Sequence, residues 1–131
     1  MRHDIDTGAT AVTPVSAAGP LAGTFDTSTP GFGTAEAPHD FTLYVTCTGL
    51  AAGAVARVAV QDSTLGDFTD ALPLAVFHFA GPIAKGQVEN TIGACNLPAA
   101  NVAAAGSKMR LNVLQVTAAG ALSVHGQIEC T

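Results

Sequence analysis

The sequence predicts an all-β fold, a small β-sandwich or jelly roll of about seven or eight short antiparallel strands preceded by an extended N-terminal arm. Three observations predict it. After residue 40, apolar and polar residues alternate over short segments; Gly-containing turns separate these segments; and residues 1–40 are rich in Pro and Gly without a sustained period. A chain of 131 residues is expected to build one compact core, here within a domain at residues 41–131.

Residues 1–40 are interpreted as an extended arm. Four of the seven prolines lie in this segment, and proline fixes φ and removes a donor from a β-ladder. Only short edge strands are therefore expected, over residues 10–15 and 21–25. Such a segment cannot form a core alone, so it must pack against other structure.

Two strands with one apolar face are predicted, over residues 41–48 and 55–61. In both segments every second residue is apolar, the period of a half-buried strand. The predicted inward faces are Phe41, Leu43, Val45 and Cys47 in the first strand, and Ala56, Val58 and Val60 in the second.

Residues 74–80 form a segment that is apolar on both faces. One face holds Ala75, Phe77 and Phe79, and the other holds Leu74, Val76 and His78. A strand of this kind is either central in a sheet or covered by a neighbouring subunit. We interpret Leu74, Val76 and His78 as a face that contacts another subunit.

The end of the domain is predicted to be a hairpin that joins residues 108–117 to residues 122–130. The apolar phase changes after Val113, which predicts a one-residue β-bulge near that residue. Residues 97–105, which contain Pro98 and many alanines, are the one segment expected to form a short helix.

Composition excludes several classes of function. Charged residues make up 11% of the chain and the formal net charge is −5, so there is no cationic surface to bind nucleic-acid phosphates. No apolar segment approaches the roughly 20 residues that span a bilayer, and the polar first residues do not resemble an export signal. A cytoplasmic protein without membrane or nucleic-acid contact is expected.

No catalytic residue, cofactor site or metal site is predicted. The four histidines are scattered, and a metal or proton-transfer site needs convergent side chains. Cys47, Cys95 and Cys130 lack metal-site spacing and are expected to be reduced, mostly buried thiols; a Cys47–Cys130 disulfide formed after release from the cell is the alternative. Nucleophile elbows and phosphate-binding Gly loops are absent from the sequence.

The acidic loop at residues 61–70 is the densest group of carboxylates. Calcium binding is the functional alternative here, but Leu65 breaks the EF-hand order and the closing Glu is missing. The loop is interpreted as structural, with Asp62 and Ser63 turning the chain through bonds to the backbone and Gly66 supplying a positive φ.

The remaining features predict a protein that works through its surface. A charge-poor exterior, an unpaired arm and a doubly apolar strand would leave apolar patches and open sheet edges on a monomer. An oligomer or assembly subunit is therefore expected. The arm is predicted to add a strand to a neighbour and to pack on it, with wrapping around its own domain as the alternative. The arm residues assigned to this contact are Val12, Val15, Leu21, Phe25 and Phe32.

Three segments carry a resemblance to a known family. They are Arg57-Val58-Ala59-Val60-Gln61-Asp62-Ser63 with Gly66-Asp67-Phe68-Thr69-Asp70, then Phe77-His78-Phe79-Ala80-Gly81-Pro82, and the later strand MRLNVLQVTAAGALSVHGQI. Over residues 41–130 the chain resembles the small head-decoration, or auxiliary capsid, proteins of tailed bacteriophages. The long Pro- and Gly-rich arm departs from the family pattern.

The resemblance implies a structural role without catalytic residues or cofactors. Proteins of this family form trimers or other clusters on the outer face of an HK97-type capsid and bridge neighbouring capsomers. The resemblance therefore implies a homo-oligomer, with a trimer favoured, that binds the major capsid protein on the virion exterior after synthesis in the host cytoplasm.

Two other classes remain open at this stage. One is a tail-tube, connector or other virion subunit, and the other is a secreted β-sandwich adhesin or carbohydrate-binding module. The latter has little support, because the chain has no Trp and a single Tyr to stack against sugars. For the decoration role, deletion of residues 1–30 is expected to weaken capsid binding and to leave the domain folded.

Overall fold

The structure is a computed structural model that describes residues 2–5, 13–14, 17–21, 24–26, 41–63, 67–92, 108–117 and 123–130. Regular structure in these segments is entirely β-strand. The strands are β1 (Arg2–Asp4), β2 (Thr13–Pro14), β3 (Gly19–Pro20), β4 (Phe25–Asp26), β5 (Phe41–Leu50), β6 (Val55–Ser63), β7 (Leu72–Ala80), β8 (Ile83–Ile92), β9 (Lys108–Val116) and β10 (Ser123–Cys130). The predicted all-β class is confirmed.

Within the described residues, the strands form two antiparallel sheets of five strands each. In the first sheet the order is β1-β10-β5-β8, and β2 also pairs with β10. In the second the order is β3-β9-β6-β7, and β4 also pairs with β9. β5 and β6 are thus internal strands, one in each sheet.

The core lies between the two sheets and contains those predicted residues of β5 and β6 whose side chains the structure describes. Leu43, Val45 and Cys47 of β5 are fully buried, as are Ala56, Val58 and Val60 of β6. Leu111 of β9 faces Gly126 of β10, where an added Cβ would lie 2.7 Å from the Leu111 side chain. The sheets therefore approach so closely at this point that only glycine fits without displacing a core leucine.

β5 is more buried than its alternating pattern predicted. Thr42, Tyr44 and Thr46, on the face opposite the core, are also buried. β5 lies between β10 and β8, so neighbouring side chains flank it on both sides. The Tyr44 hydroxyl donates a hydrogen bond to the Glu129 carboxylate at 3.2 Å, which gives this phenol a polar partner.

The predicted bulge in β9 is confirmed. Arg57 pairs with Gln115, whereas Val58 pairs with Val113, so Leu114 is the extra residue. A second irregularity lies in β7, where Val60 pairs with Ala75 but the next residue of β6 pairs with Pro73. Bulges of this kind bend the strand and increase its twist.

The predicted closing hairpin is wrong. β9 pairs with β6 in one sheet, whereas β10 pairs with β5 in the other. The alternation in each strand was correct, but alternation does not reveal which strand lies alongside. The segment that was predicted as a short helix, residues 97–105, lies outside the described residues.

The corner between β7 and β8 carries the chain from one sheet to the other in two residues, Gly81 and Pro82. The Gly81 amide donates to the Ala54 carbonyl at 2.8 Å. A Cβ at Gly81 would overlap the carbonyl oxygen of Ala51, so the close backbone approach at this corner requires glycine. The corner holds the outer strands of the two sheets together at one end.

Candidate interaction surface

The sandwich has a covered side and an open side. On the covered side, the outer edges of β9 and β10 are paired with the short strands β1 to β4 from the N-terminal region. Ile5, just after β1, is fully buried in the core and its amide donates to the Gly126 carbonyl at 2.9 Å. The described pieces of the N-terminal region therefore belong to the chain's own fold.

The arm residues predicted to contact a neighbour are only partly placed. Leu21 packs against the chain's own core and its amide donates to the Leu111 carbonyl at 2.9 Å, so it contacts its own domain, and its contact with a neighbour stays a prediction. Phe25 lies in β4, in register with Met109. Val12, Val15 and Phe32 lie outside the described residues, and their role stays a prediction.

On the open side, β7 and β8 are the outer strands. Within the described part of the chain, β7 pairs only with β6, and β8 only with β5. The two strands have 9 and 10 residues, so each presents a long outer edge. Unpaired edges of this length are templates for further strands and are usually covered in monomeric proteins.

The predicted subunit-contact face lies on this open side. Val76 is 37% exposed and His78 is also exposed, whereas Leu74 is half-buried against the core. The opposite face of β7, which includes Phe77 and Phe79, is buried as predicted. Of the predicted face, Val76 and His78 are thus available to a partner and Leu74 contributes mainly to its own domain.

A cleft of about 430 Å³ lies at the corner between β7 and β8. Phe79, Ile83 and Val88 provide apolar lining, and His78 and Lys85 add polar nitrogen atoms. Val88 is 41% exposed. The cleft is thus an open recess lined by both apolar and polar groups, including a cationic side chain, and its volume lies within the range of ligand-binding clefts.

The sequence pattern does not predict this part of the surface, because it does not identify β8 as a strand. Its residues are mostly polar and include Gly86, so the apolar alternation is weak. The available signal was the Gly81-Pro82 turn, followed by a segment that ends in the β-branched pair Thr91 and Ile92.

In the acidic turn after β6, Ser63 has the structural role that the sequence predicts. The Ser63 hydroxyl donates to Asp70 at 2.6 Å and accepts from the Phe68 amide at 3.1 Å. Phe68 has a φ of 62°, and the Arg110 guanidinium lies 4.3 Å from its ring centroid. This cation–π contact helps to hold a residue in a backbone conformation that favours glycine.

Asp62 differs from the prediction. It is fully buried, and neither carboxylate oxygen has a hydrogen-bond partner within the described residues. Burial raises its pKa to about 6; the Ser63 amide acts in the opposite direction, and the charge of Asp70 adds to the increase. Gly66, to which a positive φ was assigned, lies outside the described residues.

In the described segments no three His, Cys, Asp or Glu side chains converge as metal ligands would. Cys47 is a free, buried thiol, and burial raises its pKa above the usual value. None of the described segments forms a helix of the length and apolarity that crossing a membrane would require.

Comparison of the chain with protein-family models, with curated proteins and with solved structures gives no match. Its function must therefore be argued from its own residues.

Proposed function

We propose that this protein is a structural virion subunit, a capsid decoration or cement protein that binds the outer surface of an HK97-type shell through protein–protein contacts. The observation that carries the proposal is the open side of the sandwich. Two long outer strands, the partly exposed side chains of Val76 and Val88, and an open cleft of mixed apolar and polar lining lie on that side. Such a surface on a small domain fits a subunit that is completed by its neighbours.

The electrostatics of the open side support a contact dominated by apolar and backbone groups. β7 contains no Asp, Glu, Lys or Arg from Leu72 to Ala80. A chain of net charge −5 can approach another acidic surface most easily at such a strand, because no carboxylate of β7 opposes the approach. Each contact can be weak, since many copies on one shell add avidity.

Homo-oligomerisation belongs to the same proposal, and the trimer is the form that the family resemblance favours. Assembly in the host cytoplasm and a final position on the capsid exterior complete it. The contacts with the shell are assigned to the exposed face of β7 and the adjoining cleft, where His78 and Val76 are accessible.

Sedimentation with undecorated capsids tests the proposal. The wild-type protein is expected to co-sediment with the shells, and Val76→Lys to reduce the bound fraction by about tenfold, because a lysine placed in an apolar contact loses hydration without gaining a partner. Leu114→Lys is the matched control: Leu114 is 40% exposed, close to the 37% of Val76, but it lies on β9 away from the open side.

Failure of the wild-type protein to bind any undecorated shell would contradict the proposal. Equal losses for Val76→Lys and Leu114→Lys would contradict the assignment of the contact to β7. Rings or tubes formed by the isolated protein in electron micrographs would favour a tail-tube or connector subunit.

A further inference from the structure

β8 is an edge strand with few of the features that normally prevent edge pairing. It runs from Ile83 to Ile92, contains no Pro, and within the described residues pairs only with β5. Natural edge strands are commonly protected by being short, by Pro or by Lys. β8 is one of the two longest strands and carries a single lysine, Lys85.

The charges on β8 are arranged in a self-complementary way. Lys85 and Glu89 are its only charged residues and lie four positions apart. Their register partners in β5, Thr48 and Tyr44, are also four positions apart, so the two charged residues share one face of the sheet. The midpoint between them is Gln87.

We propose that β8 pairs in antiparallel orientation with β8 of a second copy of this chain, about a two-fold axis at Gln87. In this register Lys85 lies directly opposite Glu89 of the second copy, and Glu89 lies opposite its Lys85. A two-fold interface requires such a self-complementary surface, because each residue meets its partner twice. The two sandwiches then share one continuous sheet.

The same register also accommodates the apolar residue of the edge. Val88 lies opposite Gly86 of the second copy, so the 41% exposed valine meets a position without a side chain. Other two-fold registers are worse: an axis at Lys85 or at Glu89 places like charges opposite each other, and an axis at Gly86 or Val88 leaves both charges without an opposite partner. Directly opposed charges of opposite sign stabilise an antiparallel pair, whereas like charges destabilise it.

A second copy is the occupant that these charges favour. Two chains of net charge −5 repel each other, so a productive contact needs local attraction, and the two Lys–Glu pairs supply it. The pairing does not depend on the capsid role. Where both hold, the two-fold contact through β8 links neighbouring copies on a shell while β7 remains free to face the shell.

Charge reversal tests the register by sedimentation equilibrium of the full chain. Lys85→Glu and Glu89→Lys each create two like-charge pairs, and each is expected to raise the dissociation constant of self-association by on the order of tenfold. The double variant K85E/E89K has the wild-type net charge and restores opposite charges in both pairs. Its dissociation constant is expected to return to within about threefold of wild type.

A cysteine at the axis provides a second measurement that does not depend on charge. Gln87→Cys brings two thiols to directly opposite positions, where Cα atoms of paired strands lie about 4.5–5.5 Å apart, within the range for a disulfide. Ala84→Cys is the control, because Ala84 is exposed but its two copies would lie about 20 Å apart in the same register. A covalent dimer is expected for Gln87→Cys only.

The outcomes separate this inference from the proposed function. A wild-type chain that stays monomeric at millimolar concentration overturns the pairing. Self-association that is unchanged in both single variants, or that is not restored in the double variant, overturns it as well. Equal cross-linking of the two cysteine variants does the same. Capsid binding is measured separately by co-sedimentation, so either result can fail while the other stands.

Discussion

On the covered side of the sandwich, four short strands from the N-terminal region lie against β9 and β10, whereas on the open side the long strands β7 and β8 have no such cover in the described residues. Both sides belong to the same two sheets, and on both sides the backbone N–H and C=O groups at the strand edges need hydrogen-bond partners. On the covered side, residues of the same chain supply these partners. On the open side, the described residues supply no such partners.

The difference also separates stability from interaction. Ile5 and Leu21 on the covered side pack in or against the core, so this region is expected to contribute to the stability of the fold. Val76 and Val88 on the open side are 37% and 41% exposed, so they bury less of their surface than Ile5 does. Changes on the covered side should therefore act on the free energy of unfolding, and changes on the open side should act on association.

Deletion of residues 1–26 should have the largest effect. It removes β1 to β4 and the buried Ile5, and it exposes the edges of β9 and β10. We expect loss of the cooperative unfolding transition, followed by aggregation. Circular dichroism during thermal unfolding and light scattering measure this. This expected result differs from the sequence-based expectation that deletion of residues 1–30 leaves the domain folded. A truncated chain with wild-type stability would contradict the description of the covered side.

Ile5→Ala should lower the free energy of unfolding by about 2–4 kcal/mol, because it leaves a cavity in the core. Val88→Ala is the matched substitution on the open side and should cost less than about 1 kcal/mol. Urea unfolding of the two variants checks the difference. Similar losses in both would show that the two sides do not differ in burial.

Asp62→Asn should raise the free energy of unfolding near neutral pH. Because Asp62 lies on the internal strand β6, this change should not alter the edges of either side. Its pKa is about 6 in the folded chain, above the ordinary 3.8, so the folded state binds more protons between these values. Stability therefore falls as pH rises through this window, by up to about 3 kcal/mol for a shift of this size.

The neutral amide removes this loss. We expect Asp62→Asn to gain about 1–3 kcal/mol at pH 7 and little at pH 3, with a flatter dependence of stability on pH. Urea unfolding of both proteins from pH 3 to 8 is the measurement. A variant that is less stable than wild type at pH 7 would indicate that the carboxylate is stabilised by a partner.

The smallest effect on stability is expected for Val76→Lys and Leu114→Lys. Both side chains are partly exposed, so each change should shift the free energy of unfolding by less than about 0.5 kcal/mol. Thermal unfolding measures it. A large loss of stability for Val76→Lys alone would show that β7 is covered within the chain. That result would contradict the assignment of β7 to the open side.

The positions of several strands could be predicted from the sequence, but the neighbours with which these strands pair could not. The alternation at residues 41–48, 55–61 and 74–80 correctly assigned core residues such as Val58 and Phe77. The phase change after Val113 correctly located a bulge. The predicted closing hairpin is wrong because a short link can join two strands that pair in one sheet or two strands that lie in opposite sheets.

For a similar reason, the sequence predicts only some residues of the candidate surface. Val76 and His78 were found because an apolar face on a strand is visible in the sequence. Lys85 and Val88 were not, because β8 is too polar to show the two-residue period. Its place at the edge depends on pairing with β5, a strand much earlier in the chain.

The sequence by itself determined the β class, the inward residues of the central strands and a surface poor in charge, because these depend on local alternation and composition. The tertiary structure alone decided which edges are covered, where Leu21 and Ile5 pack, and that Asp62 is buried with no hydrogen-bond partner among the described residues. Those properties arise from contacts between residues far apart in the chain, and the free energy of such contacts is set by the shape of the whole fold.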